Sequence, residues 1–251
     1  MNGLFDLNGK TAIVTGASTG LGKGMTLGLA AAGANILLVD HVPSDETLKE
    51  VTALGRKAEQ LVINLMQEGA VQTVVSKALQ VFNKIDVLIN NAGIIRRAPA
   101  IEFSEKDWDD VMNLNSRVVF FLSQAVAKDM MKRKYGKIIN VASLLSFQGG
   151  FIVPSYSASK GAVAQITKAL ANEWAKYGLN INAIAPGYMA TNNTKALRED
   201  AVRSKSILDR IPAERWGTPE DLKGAAVFLA SKASDYINGH VLAVDGGWLA
   251  R

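Results

Sequence analysis

The 251-residue chain reads as an α/β protein built on one doubly wound parallel sheet with helices on both faces. Three observations predict this. Short apolar runs rich in Val and Ile alternate with helical patterns from end to end, a glycine-rich turn separates the first such run from the first helix, and no linker, repeat or low-complexity tract divides the chain. A chain of this length can bury a substantial core, so residues 1–251 are read as a single domain.

The first strand is expected over Lys10–Thr15 and the first helix from about Lys23 to Ala32, with Gly16-Ala-Ser-Thr-Gly20-Leu-Gly22 between them. Strand, glycine-rich turn and helix let the backbone of Gly16, Ser18, Thr19, Gly20, Leu21 and Gly22, and the helix N-terminus, approach a pyrophosphate. The spacing is Gly-x-x-x-Gly-x-Gly, and its place between strand and helix favours dinucleotide binding over an ordinary turn. Gly33 closes the helix and Asn35–Asp40 forms the second strand. An acid at that strand end can accept both adenosine ribose hydroxyls and would repel a 2′-phosphate, and neither Ser18 nor Thr19 offers that phosphate a cation. NAD is therefore expected over NADP. The alternative role for Asp40 is to cap the turn at Pro43-Ser44.

A third strand over Gln60–Asn64, a helix over roughly Ala70–Phe82 and a fourth strand over Ile85–Asn90 follow. The fourth strand runs into Asn91-Ala92-Gly93, small and amide residues that suit close approach of backbone to a ligand. Glu102–Asn115 and Val118–Met131 together read as one long helix, and Lys137–Ala142 as a fifth strand that delivers Ser143.

Composition narrows the function. With 48% hydrophobic and 20% charged residues the chain is ordinary for a globular protein, and no apolar run is long enough to cross a bilayer. The opening Met1-Asn-Gly-Leu-Phe-Asp6 lacks the regions of a signal peptide, so a cytoplasmic protein without membrane partners is expected. The net charge of +5 comes without a basic tail or basic–aromatic stripe, so no nucleic-acid partner is expected. The absence of cysteine excludes disulfides, thiolate chemistry and a Cys-ligated zinc, and with only His41 and His240 no metal site is expected.

The chemistry concentrates in Ser143–Lys160. Tyr156 and Lys160 lie four residues apart, on one face of a helix, with the Ser143 hydroxyl upstream. A phenol has an ordinary pKa of about 10, and a nearby ammonium favours its ionised form. The pair can serve as proton donor and acceptor in alcohol–ketone interconversion, with Ser143 bonded to the reacting oxygen. Tyr-x-x-x-Lys alone is a weak signal, and a surface helix carrying a chance pair would look the same.

Thr15-Gly-Ala-Ser-Thr-Gly-Leu-Gly22, Asn90-Asn-Ala-Gly93, Ser143, Tyr156-x-x-x-Lys160 and Pro186-Gly187, in this order, resemble the short-chain dehydrogenase/reductase family over essentially the whole chain. The resemblance extends to Asn115 in Asn113-Leu-Asn115. It implies a Rossmann-type sheet of about seven strands, a nicotinamide cofactor and a homotetramer. It further implies that Tyr156 moves the proton, that Lys160 lowers the Tyr156 pKa and holds the nicotinamide ribose, and that Ser143 orients the substrate oxygen. Asn115 would support a water chain to Lys160. Cofactor contacts would continue through Asn64, Leu65, Asn91, Ala92, Gly93, Pro186, Gly187, Tyr188 and Thr191. Asn64 departs from the aspartate common in the family, although an amide can also donate and accept.

The lid Asn192–Asp200 is polar, which suits a hydroxylated ligand better than a steroid or a long acyl chain. Arg96 and Arg97 follow the Asn-Ala-Gly turn, and arginine forks bind carboxylates bidentately. Gln148 is a further polar candidate beside Tyr156 and Ser143. Arg96-Arg-Ala-Pro99, Glu102–Asn115, Ser146-Phe-Gln-Gly149 and Val244–Arg251 resemble bacterial members of the family that act on six-carbon deoxy or keto sugar acids in pectin and uronate breakdown. Dehydrogenases of gluconate are the runner-up. A 3-oxoacyl carrier-protein reductase would usually want NADP, which Asp40 disfavours. A non-catalytic dinucleotide-binding scaffold would be expected to have lost Tyr156, Lys160 or Ser143, and all three are present.

Overall fold

Seven parallel strands form one sheet in the order β3-β2-β1-β4-β5-β6-β7, described for residues 3–251 in a computed structural model. Met1 and Asn2, where the leader reading begins, lie outside the described residues. The strands are β1 Thr11–Thr15, β2 Asn35–Asp40, β3 Ala58–Val62, β4 Val87–Asn90, β5 Gly136–Val141, β6 Leu179–Pro186 and β7 Val241–Val244. Side chains alternate along each strand, and the alternation divides the core in two. Ala12, Val14, Ile36, Leu38, Val87 and Ile89 pack on one face against helices α1 (Gly20–Ala31) and α9 (Lys223–Ala230). Ile13, Leu37, Val39, Leu88, Ile138 and Ile181 face the other way, against α3 (Ala70–Phe82), α5 (Val118–Arg133) and α6 (Pro154–Trp174). Burial on both faces explains why the central strands read as continuous apolar runs.

Several expectations shift, the fourth strand beginning at Val87 rather than Ile85. The third strand is Ala58–Val62 rather than Gln60–Asn64. It is the sheet edge, only partly buried, so its apolar pattern is weak and its bounds are poorly marked. The first helix begins at Gly20 rather than Lys23, because the glycine turn runs directly into it. The long helix expected over residues 102–131 is two helices, α4 (Glu105–Met112) and α5, joined by a π turn over Asn113–Arg117. Ser104 caps α4, its hydroxyl accepting the Asp107 N–H at 3.1 Å. The π turn inserts residues without ending the helix, so the apolar pattern carries through it and conceals the break.

Strand order reverses between β1 and β4, and the loops following these two strands line the crevice at the C-terminal edge of the sheet. The remaining helices are α2 (Asp45–Ala53), α7 (Lys195–Glu199) and α8 (Ala201–Leu208), the last two forming the lid. Among the described residues no helix is long and apolar enough to cross a membrane.

Candidate active site

The glycine turn after β1 is shaped by close approach. Gly16 and Gly20 adopt left-handed φ of +66° and +57°, and a Cβ on Gly22 would overlap the Gly16 carbonyl. The end of β4 pins the turn: the Asn91 amide donates to the Thr15 and Gly16 carbonyls at 2.9 and 3.0 Å. The Thr15 hydroxyl accepts the Asn91 and Ala92 N–H groups, both at 3.0 Å. Asn91 is thus a brace for the turn, a role its place in the sequence did not reveal. Across the crevice the Thr191 methyl lies 3.7 Å from where a Cβ on Gly20 would stand, so lid and turn face each other.

Asp40 ends β2 buried at 7% exposure. Its carboxylate accepts the Ser18 N–H at 3.0 Å and, from His41, the backbone N–H at 2.7 Å, with His41 Nδ1 at 2.9 Å. Burial pushes its carboxyl up, but the hydrogen bonds from Ser18 and His41 more than reverse this and hold it below the ordinary value. The capping alternative is not what the structure shows, since the Ser44 N–H goes to Gln60 Oε1 at 2.8 Å. Asn64 is exposed, its side chain accepting the Met66 N–H at 3.0 Å, and Leu65 beside it is buried. A turn that excludes side chains, a helix N-terminus and an ionised acid at the end of β2 fit a dinucleotide.

Tyr156 and Lys160 lie one turn apart on α6, with Lys160 Nζ 5.6 Å from the Tyr156 ring centre. Lys160 is buried and donates to the Val141 carbonyl at 2.6 Å. Burial lowers its pKa to about 8. Burial pushes the Tyr156 phenol up, against the opposing pull of a Ser143 hydrogen bond and the Arg97 charge. In the structure the Lys160 ammonium is engaged by Val141, and the groups that favour the Tyr156 phenolate are Ser143 and Arg97.

Asn115 sits in the π turn, 1% exposed. Its amide accepts the Ile94 N–H and donates to the Ile94 carbonyl, both at 2.9 Å, and donates to Ser159 Oγ at 3.2 Å. Ser159 in turn donates to the Tyr156 carbonyl at 2.8 Å. Asn115 therefore ties the loop after β4 to α6.

A cavity of about 700 Å³ opens over Ser143 and Tyr156, walled by Arg97, Gln148, Pro186, Gly187 and Tyr188. The structure separates the two arginines. Arg97 lines the cavity and donates to the lid carbonyl of Asn193 at 3.0 Å, whereas Arg96 pairs with Asp107 at 3.2 Å and is not part of the lining. Arg203, Arg210 and Trp248 also line it, and the sequence reading missed all three. Their only signal was a basic stretch after the lid and an aromatic near the C-terminus. Among the described residues no cluster of three or more His, Asp or Glu could hold a metal ion.

The crevice, the glycine turn and the Ser-Tyr-Lys set together match the family model described as short chain dehydrogenase over residues 10–202. The chain belongs to the short-chain dehydrogenase family. Members use a nicotinamide dinucleotide, so the protein is an oxidoreductase of that kind. It is 62% identical over 248 residues, 98% of each chain, to the 2-dehydro-3-deoxy-D-gluconate 5-dehydrogenase of Dickeya dadantii. It is 60% identical over 98% of each chain to the enzyme of that name from Escherichia coli. A crystal structure of a candidate 2-deoxy-D-gluconate 3-dehydrogenase from Agrobacterium tumefaciens, with bound NADP, superposes with a TM-score of 0.93 at 53% identity, covering 100% of both chains.

Proposed function

We propose that this short-chain dehydrogenase interconverts a secondary alcohol and a ketone on a six-carbon deoxy or keto sugar acid, as 2-dehydro-3-deoxy-D-gluconate 5-dehydrogenases do, with NAD preferred. The observation that carries this reading is the single cavity that joins Ser143 and Tyr156 to the Arg97 guanidinium. A reacting carbon and a carboxylate a few bonds away can be held there together. When bound, the dinucleotide supplies or accepts the hydride. Tyr156 takes the hydroxyl proton in oxidation and returns it in reduction, and Ser143 holds the same oxygen. Lys160 holds the nicotinamide ribose, and Asn115 supports the water path that resupplies the proton.

The ionised Asp40 supports NAD, because a 2′-phosphate would meet a negative charge at the ribose position. Oxidation of gluconate itself is the second reading, since it keeps the same anionic end and needs only hydroxyls where the first substrate has a keto and a deoxy carbon. A homotetramer in the cytoplasm completes the proposal. In support of assembly, among the described residues β7 leaves one edge of the sheet unpaired and Phe121 on α5 is exposed under the Arg117 guanidinium, 4.9 Å away. Light scattering on the eluted protein tests the assembly.

NADH and NADPH absorbance against a panel of keto sugar acids, gluconate, acyl ketones and steroids tests the function. Turnover of the sugar acids with NADH above all other pairs is expected. Preference for an acyl ketone or a steroid would overturn the reading.

A further inference from the structure

The C-terminal segment folds back over the substrate cavity. After β7, Gly246 and Gly247 take left-handed φ of +65° and +91°, and the Asp245 carboxylate accepts the N–H groups of Gly247 and Leu249, both at 2.9 Å. This hook delivers Trp248 to the cavity wall at 4% exposure. Its ring packs on Tyr188, with centroids 4.6 Å apart, and carries the Arg210 guanidinium 4.0 Å from its centre. Its indole N–H donates to Gln148 Oε1 at 3.2 Å.

An indole N–H donates and has no capacity to accept, so it tolerates only one orientation of a primary amide. The Gln148 oxygen must face Trp248, and its NH2 group must face away. Among the described residues no protein acceptor takes those protons, and Gln148 lines the same cavity as Ser143 and Tyr156. A polar group held in one orientation with its donors free is equipped to bind a ligand oxygen.

We propose that Trp248 is a positioning residue that fixes Gln148 as a hydrogen-bond donor to a hydroxyl oxygen that the substrate retains, making the cavity selective for acids that carry that hydroxyl over analogues that lack it. The proposal rests on the sugar-acid reading above, and Gln148 acts at the part of the substrate that Arg97 does not hold. The amide orientation comes from the C-terminal hook, so the last residues of the chain set substrate selectivity.

A double-mutant cycle tests it, with KM and kcat measured for a hydroxylated keto acid and for an analogue lacking one hydroxyl, and with NADH affinity as the control for folding. Gln148→Met removes the donor and should raise KM for the hydroxylated acid about 3- to 10-fold, the scale of one neutral hydrogen bond, with kcat nearly unchanged. Trp248→Phe keeps a ring but removes the N–H, and should raise KM by about 2- to 10-fold in the wild-type background. In the Gln148→Met background it should add less than about twofold, because no donor remains to be aimed. Equal KM effects of Trp248→Phe in both backgrounds would show that the ring only packs, and would overturn the proposal. If Trp248→Phe loses NADH binding, Gln148→Glu decides alone. It can still accept from the indole but offers no donor, so KM must rise for the hydroxylated acid and rise less for the deoxy analogue. An unchanged KM overturns the proposal. A wild-type enzyme that turns over no sugar acid sinks the function reading and this one with it, whereas turnover with independent variants sinks only this one.

Discussion

Replacing Arg97 with alanine separates a substrate-binding arginine from a surface one. In a six-carbon acid that reacts at C5, four C–C bonds of about 1.5 Å separate the reacting carbon from the carboxylate, a span of about 5 Å when extended. Arg97 and Tyr156 wall one cavity, and the Arg97 charge acts on the phenol. One terminal nitrogen of Arg97 is committed to the Asn193 carbonyl. Its other N–H groups can grip the carboxylate. A hydrogen bond to a charged group contributes about 1.5–3 kcal/mol, and because Arg97 is exposed the lower end applies, giving a loss of about 10- to 30-fold in kcat/KM. Arg96→Ala breaks an exposed pair with Asp107 and a long bond to the Ile95 carbonyl, and should change kcat/KM by less than about threefold. Steady-state kinetics with a keto acid and its uncharged methyl ester make the comparison, since the Arg97→Ala effect should vanish on the ester. A second signature is a pH shift. Arg97 favours the Tyr156 phenolate, and oxidation needs that phenolate, so Arg97→Ala should move the rising limb of the oxidation profile to higher pH. If Arg97→Ala and the double variant still told acid from ester as the wild type does, the reasoning would be refuted. Arg203 and Arg210 would then be the next candidates, because they line the cavity, whereas Lys195 pairs with Glu199 at 3.7 Å.

Tyr156→Phe should lower turnover by roughly 10²- to 10⁴-fold while NADH still quenches protein fluorescence at the wild-type midpoint; near-normal turnover would assign the proton to another group. Asp40→Ala should lower the NAD/NADP ratio of kcat/KM, and it should weaken both cofactors because the Ser18 N–H loses its acceptor. A wild-type preference for NADPH would count against the ribose role of Asp40. Burial holds Lys160 near pKa 8 against an ordinary 10.5, so between those values the unfolded chain binds more protons than the folded one. Stability should therefore rise from pH 8 to about 10.5, with a constant penalty below pH 8. Urea titrations of wild type and Lys160→Met across that range check this, and an equal rise in both would place its source elsewhere.

The central sheet was legible because its chemistry is local. Asn35–Asp40 matches its strand residue for residue, since a strand buried on both faces is a continuous apolar run bounded by Gly33 and the polar turn. The glycine turn, Ser143, Tyr156 and Lys160 were legible by order and spacing. What stayed hidden depends on distant parts of the chain meeting. Nothing near Asn91 indicates that its amide reaches back 76 residues to Thr15. Nothing in Gln148 indicates that Trp248, a hundred residues later, aims it. Arg96 and Arg97 are neighbours of one chemical type, and only the path of the loop decides which of them enters the cavity.

That path is set by Asn115, whose side chain gives Ile94 the donor and acceptor that a neighbouring strand's peptide would give. In effect one rung of a β-ladder is built from a side chain, and it fixes where the loop begins. In extended chain each residue advances about 3.4 Å, so a length change just after Ile94 would move the arginines by one place. An insertion would bring Arg96 to the position Arg97 now holds and keep a guanidinium at the cavity. A deletion would bring Ala98 there and leave none. The doubled arginine thus makes the loop tolerant of lengthening and intolerant of shortening, an asymmetry that kcat/KM of the two length variants on a keto acid would expose.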